Sequence, residues 1–94
     1  MIVDIRPESQ RSEFGEIPGA LIIERNVLEW RFDPRSNARI VQVAKYDAEV
    51  IVLCQEGYTS SLAADALRKL GLAASGEVVG GFAAWQAAGL PTTV

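Results

Sequence analysis

The chain has 94 residues, a formal net charge of −3, one cysteine and no histidine. This length fits a single domain spanning residues 1–94, and the acidic balance argues against nucleic acid or a membrane surface as a partner. A lone cysteine excludes an intrachain disulfide, so we expect a cytoplasmic protein. The lack of histidine excludes Cys-His and Ser-His-Asp catalysis within one chain, and we expect no metal or other cofactor.

The first third of the chain predicts two strands and two short helices. A strand begins at the N-terminus and ends at Pro7, because proline cannot donate a hydrogen bond to a β-ladder. The polar residues that follow predict a short helical turn carrying Phe14, and Pro18-Gly19 then predicts a turn. The apolar residues 20–23 predict a buried strand. A short helix capped by Asn26 is expected to end at Phe32, before Asp33-Pro34.

The rest of the chain continues this alternation of strands and helices. Residues 35–47 mix β-branched residues with alanine and leave helix and strand both open. Residues 49–53 predict the central strand, and residues 77–79 a shorter one. Two helices are expected: one capped by Thr59, Ser60 or Ser61 that ends at Leu70, and one over residues 82–88. The inward stripe of the longer helix is predicted to hold Leu62, Ala63, Ala66, Leu67 and Leu70.

Strands that alternate with helices predict an α/β fold with a small open parallel sheet flanked by helices on both faces. Cys54 directly follows the central strand, at the carboxyl edge where open α/β sheets place their ligands. Gly57 and the helix start after it can turn several backbone N–H groups toward one point, which favours a thiolate. Cys54 is therefore the candidate nucleophile, although a lone cysteine at this position can also be a small buried hydrophobe.

Four motifs resemble those of the rhodanese-like sulfurtransferases, and together they cover nearly the whole chain. Val3-Asp4-Ile5-Arg6 is similar to the family's opening Asp-x-Arg strand. A Gly-Glu-Ile-Pro-Gly-Ala turn over residues 15–20 resembles a Gly-His-Ile-Pro-Gly-Ala turn, with Glu16 in place of histidine. Residues 54–60 resemble the active-site loop of single-domain members. Residues 80–85 and 89–91 resemble the C-terminal Gly-Gly-x-x-x-Trp and Gly-x-Pro signature.

The resemblance implies a sulfurtransferase that moves sulfane sulfur, from thiosulfate or another small sulfur donor, to a thiol or cyanide acceptor. By this resemblance Cys54 is the catalytic residue and carries the sulfur as a persulfide. The expected substrate-binding residues are Gln55, Glu56, Gly57, Tyr58, Thr59, Ser60 and Arg6. The implied alternative is a catalytically weak rhodanese-like module that binds a partner protein or senses oxidants through Cys54.

The active-site loop departs from the family in two ways that affect substrate choice. Gln55 stands where many members carry arginine, and Glu56 adds a negative charge beside the sulfur. We therefore expect weak turnover of thiosulfate and a better reaction with a neutral or protein-borne donor. Arg6, Arg25 and Arg31 are candidates to restore positive charge, and Trp30 is a candidate for the rim of the site.

Two further expectations concern other reactions and partners. Cysteine phosphatases of the Cys-x5-Arg type need an arginine six residues after the cysteine, and Ser60 holds that position here, which argues against phosphatase activity. Family members usually carry a strand and a helix before the Asp-x-Arg strand, so the resemblance implies that both are missing here. We therefore expect an uncovered N-terminal face that a second copy or a partner protein covers.

Overall fold

The computed structural model describes residues 1–41 and 46–93, which form an α/β fold around a four-stranded sheet. The strands are β1 (Ile2–Asp4), β2 (Leu21–Ile22), β3 (Ile51–Leu53) and β4 (Gly76–Glu77). They lie in the order β2-β1-β3-β4, and every pairing is parallel. The predicted sheet is therefore confirmed, with the strand before Cys54 at its centre.

Helices cover both faces of this sheet, as the alternation of elements predicts. In the described part of the chain they are α1 (Glu8–Phe14), α2 (Leu28–Phe32), α3 (Tyr58–Lys69) and α4 (Gly81–Ala87). One core contains Val3, Val52 and Cys54 together with side chains from α2 and α3. The other contains Leu53 and Phe82, with Trp85 packed against it. Successive strand residues point to opposite faces, so Val52 and Leu53 enter different cores.

Three boundaries differ from the predictions. Gly57, with φ of +96°, precedes α3 as its N-cap, and no hydroxyl side chain caps this helix. Asn26 lies in a 3-10 turn over Arg25–Val27 instead of capping α2. Strand β4 ends at Glu77, and Val79 is 82% exposed. Of the undecided residues 35–47, positions 42–45 lie outside the described residues.

The predicted inward stripe of α3 is correct at Ala63 and Leu67, only partly buried at Ala66 and Leu70, and wrong at Leu62. Ala63 and Leu67 are buried, whereas Leu62 is 56% exposed. The buried face of this helix instead includes Ser60 and Ala64. Leu62 lies about 100° around the helix axis from Ala63, which turns it away from the sheet.

Among the helices of the described residues, none combines the length and the apolar composition that a membrane span requires. Strands β2 and β4 form the two edges of the sheet, and Ile22 on β2 is 47% exposed. The expectation that a second copy or a partner protein covers an N-terminal face stays a prediction.

Leu67 and Leu62 offer a matched test of which face of α3 is buried. We expect Leu67→Ala to lower the free energy of unfolding by about 2–5 kcal/mol, because it leaves a cavity in the core. Leu62→Ala removes the same atoms from the surface and should change it by less than about 0.5 kcal/mol. Urea unfolding of both variants measures the difference, and equal losses would contradict the placement of this helix.

Candidate active site

The sulfur atom of Cys54 lies in a cradle of backbone N–H groups at the carboxyl end of β3. The N–H of Gly57 donates to Cys54 Sγ at 3.1 Å, and the N–H of Ser60 donates at 3.3 Å. Cys54 is only 7% exposed. Two donors directed at one nearly enclosed sulfur stabilise negative charge there, as the loop sequence predicts.

The curvature of the loop depends on two glycines that touch. The left-handed conformation of Gly57 turns the chain sharply enough to bring its own N–H and that of Ser60 to the sulfur. A Cβ atom at position 57 would lie 2.9 Å from the backbone nitrogen of Gly80. The loop and the turn before α4 are therefore packed backbone against backbone.

The first turn of α4 holds the loop in place from the other side. The N–H of Phe82 donates to the carbonyl of Cys54 at 2.8 Å, and the N–H of Ala83 donates to the carbonyl of Gln55 at 3.0 Å. A Cβ atom at Gly81 would collide with that same Cys54 carbonyl oxygen. The second glycine of the Gly-Gly pair thus allows α4 to dock on the active-site loop.

Arg6 lies beneath the loop and not at its surface, since it is only 1% exposed. Its guanidinium forms a salt bridge to Asp4 at 2.7 Å and donates to the carbonyl of Gly15 at 2.7 Å. It also donates to Gln55 Oε1 at 2.8 Å and lies 4.3 Å from the centre of the Phe82 ring. Arg6 was expected to contact substrate, but the structure gives it a supporting position behind Gln55.

Most of the other predicted site residues surround one small opening above the sulfur. This cavity has a volume of about 140 Å³ and is lined by Gln10, Cys54, Gln55, Glu56, Tyr58 and Thr59. Gly57 and Ser60 lie against the sulfur below it. Trp30, Arg25 and Arg31 are not among the lining residues, and Arg25 pairs with Glu29 at 2.7 Å. The described lining therefore contains a carboxylate and no cation.

Two residues near the sulfur were not found by sequence reasoning. Gln10 of α1 lines the opening. Glu77, the last residue of β4, accepts a hydrogen bond from Ser60 Oγ at 2.8 Å, and Ser60 Oγ in turn accepts one from Cys54 Sγ at 3.3 Å. The available signal for Glu77 was a charged residue at the carboxyl end of the strand next to β3, the edge at which ligands bind.

Comparison with known proteins matches this arrangement to one family. Residues 1–88 fit the family model of the rhodanese-like domain. The fold and the cysteine cradle thus have the form of a rhodanese-type domain, and the chain belongs to the rhodanese-like family. A search of curated proteins finds no match.

Solved structures show the same fold over nearly the whole chain. A protein of unknown function from Rhodopseudomonas palustris, described as a possible tyrosine phosphatase, is 34% identical with a TM-score of 0.90; the match covers 99% of this chain and 70% of that one. A rhodanese-like domain from Anabaena sp. is 27% identical with a TM-score of 0.77, covering 100% and 98%. A rhodanese-related protein from Thermoplasma volcanium is 25% identical with a TM-score of 0.76, covering 99% and 82%.

The buried ion pair under the loop provides a stability test. Arg6→Met leaves the Asp4 carboxylate buried without its partner, so we expect the free energy of unfolding to fall by about 3–5 kcal/mol. Lys69→Met breaks the exposed pair with Asp65 and should cost at most about 1 kcal/mol.

A double variant separates charge from packing in the same experiment. Asp4→Leu combined with Arg6→Met leaves no unpaired charge and should recover part of the loss in chemical denaturation. A double variant that is less stable than Arg6→Met alone would show that lost packing, rather than the unpaired carboxylate, accounts for the effect.

Proposed function

We propose that this protein is a sulfurtransferase in which Cys54 carries the transferred sulfur as a persulfide. The observation that carries the proposal is the pair of N–H groups, from Gly57 and Ser60, that point at Cys54 Sγ. Membership of the rhodanese-like family supports a sulfurtransferase-type or related activity.

The chemistry needs two steps and no imidazole base. The Cys54 thiolate attacks the outer sulfur of a donor, a new S–S bond forms, and the donor leaves with the electron pair of its broken bond. A thiol or cyanide acceptor then takes the outer sulfur, and the electron pair of the cleaved bond returns to Cys54 Sγ. Backbone donors that stabilise the thiolate also stabilise it as the leaving group of the second step.

The charge around the opening favours a neutral or protein-borne donor over thiosulfate. Glu56 is exposed at the opening, and the guanidinium of Arg6 is neutralised by Asp4 beneath the loop. Tyr58 is 78% exposed and shares a helix face with Leu62, four residues on. Val79, also exposed, precedes the glycine that packs on Gly57. An exposed tyrosine at the opening, with exposed apolar residues close in sequence to the loop or to the glycine that packs on it, suits a polypeptide better than a small dianion.

A phosphatase activity has less support. The possible tyrosine phosphatase from Rhodopseudomonas palustris shares the fold, but that description concerns the relative alone. In this chain the position six residues after the cysteine is Ser60, whose side chain is buried and bonded to Glu77. Phosphoryl transfer by a Cys-x5-Arg loop relies on a bidentate guanidinium there, and a hydroxyl cannot replace it.

The persulfide can be detected directly by intact-mass measurement. After incubation with a small-molecule persulfide, we expect the protein to gain the mass of one sulfur atom and to lose it on addition of a thiol or cyanide. Cys54→Ser should gain no sulfur, because the chain has no other cysteine. Wild-type protein that stays unmodified with several donors would favour the alternative of a binding or oxidant-sensing module.

Glu56 is expected to limit the use of thiosulfate. Glu56→Gln removes the negative charge at the opening and should raise kcat/KM for thiosulfate by about two- to tenfold, with little change for a neutral persulfide donor. Glu49→Gln is the matched control. This exposed carboxylate precedes β3 and so lies at the amino end of the strand, whereas Cys54 follows its carboxyl end. A gain that is equal for both variants, or for both donors, would count against a local charge effect.

A further inference from the structure

The side chains of Cys54, Ser60 and Glu77 form two consecutive hydrogen bonds that connect the sulfur atom to the end of β4. Cys54 Sγ donates to Ser60 Oγ at 3.3 Å, and Ser60 Oγ donates to Glu77 Oε2 at 2.8 Å. Ser60 is completely buried and Glu77 is half-buried. The carboxylate thus reaches the sulfur through one hydroxyl group that water does not reach.

Ser60 has a single hydroxyl proton, so it can donate a hydrogen bond to only one of its two neighbours at a time. An ionised carboxylate only accepts hydrogen bonds, so Ser60 must be the donor in its hydrogen bond to Glu77. The oxygen of Ser60 then presents lone pairs to Cys54 Sγ and can bond it only while the sulfur carries a proton. If the charge of Glu77 is removed, the hydroxyl is free to turn and donate to a thiolate.

We propose that Glu77 is a positioning residue that sets the ionisation of Cys54 through the direction of the Ser60 hydroxyl. The ionised carboxylate favours the thiol form of Cys54 and so opposes the Gly57 and Ser60 N–H groups, which favour the thiolate. The inference deepens the proposed function, since it assigns control of the same nucleophile. It adds the last residue of β4 to the groups that act on Cys54 Sγ.

The other ionisable groups near the sulfur do not make this connection in the described residues. Glu56 in the loop and Tyr58, the first residue of α3, are exposed at the opening. Arg6 and Asp4, at the end of β1, are bound to each other below the loop. On α1 the residue that lines the opening is the neutral Gln10, and the first turn of α4 has no charged side chain. Glu77 is therefore the carboxylate with a hydrogen-bonded route to Cys54.

A double-mutant cycle tests the proposal without any sulfur donor. The variants are Glu77→Gln, Ser60→Ala and their combination, with Glu49→Gln as a control of equal charge change. The readouts are the pH midpoint of the thiolate ultraviolet absorbance and the rate of alkylation by iodoacetamide at neutral pH. We expect Glu77→Gln to lower the midpoint by about one pH unit and to speed alkylation by roughly tenfold.

The Ser60→Ala background decides how Glu77 acts. There the same Glu77→Gln change should move the midpoint by less than half as much, because the hydroxyl that transmits it is gone. An equal shift in both backgrounds would overturn the proposal, because it would show that Glu77 acts on Cys54 through its electrostatic field alone and not through the Ser60 hydroxyl. No shift, an upward shift, or a shift matched by Glu49→Gln would overturn it too. Because alkylation needs no sulfur transfer, the result is independent of whether the protein is a sulfurtransferase.

Discussion

The buried guanidinium of Arg6 is the interaction on which the active-site loop depends. It connects Asp4, the last residue of β1, with two segments that are distant in sequence: Gly15 after α1 and Gln55 in the loop. A charge that is 1% exposed is tolerated only when its donors are satisfied, and here a carboxylate, a carbonyl and an amide oxygen satisfy them. Because these partners must converge on one planar group, the end of β1 fixes the loop beside Cys54.

This arrangement gives Gln55 a structural role. Gln55 accepts from Arg6 through Oε1. An arginine at position 55 has only donors and would bring a second positive charge toward the first. The same side chain that holds the loop in place leaves its opening without a cation.

The sequence predicted the sheet, the order of elements and the cradle around Cys54 because local patterns determine them. Apolar runs before Cys54 and glycines after it specify a strand, a turn and a helix start without knowledge of any distant contact. The position of Arg6 could not be predicted in this way, because its burial depends on Gly15 and Phe82 arriving from elsewhere in the chain. Glu77 was missed for the same reason: only the pairing of β4 beside β3 brings it to Ser60.

The site therefore combines backbone attraction for a negative sulfur with side chains that oppose negative charge. Two N–H groups face Cys54 Sγ from the loop, while Glu56 lies at the opening and Glu77 lies behind Ser60. Backbone donors act over a hydrogen-bond length, whereas a carboxylate acts over several ångströms. A thiolate formed inside the cradle is held by the nearer groups, but an approaching dianion meets the carboxylate first. The backbone N–H groups therefore control the reactivity of Cys54, while the carboxylate at the opening controls which donor approaches it. This arrangement favours a donor whose sulfur is not part of a small, highly charged anion.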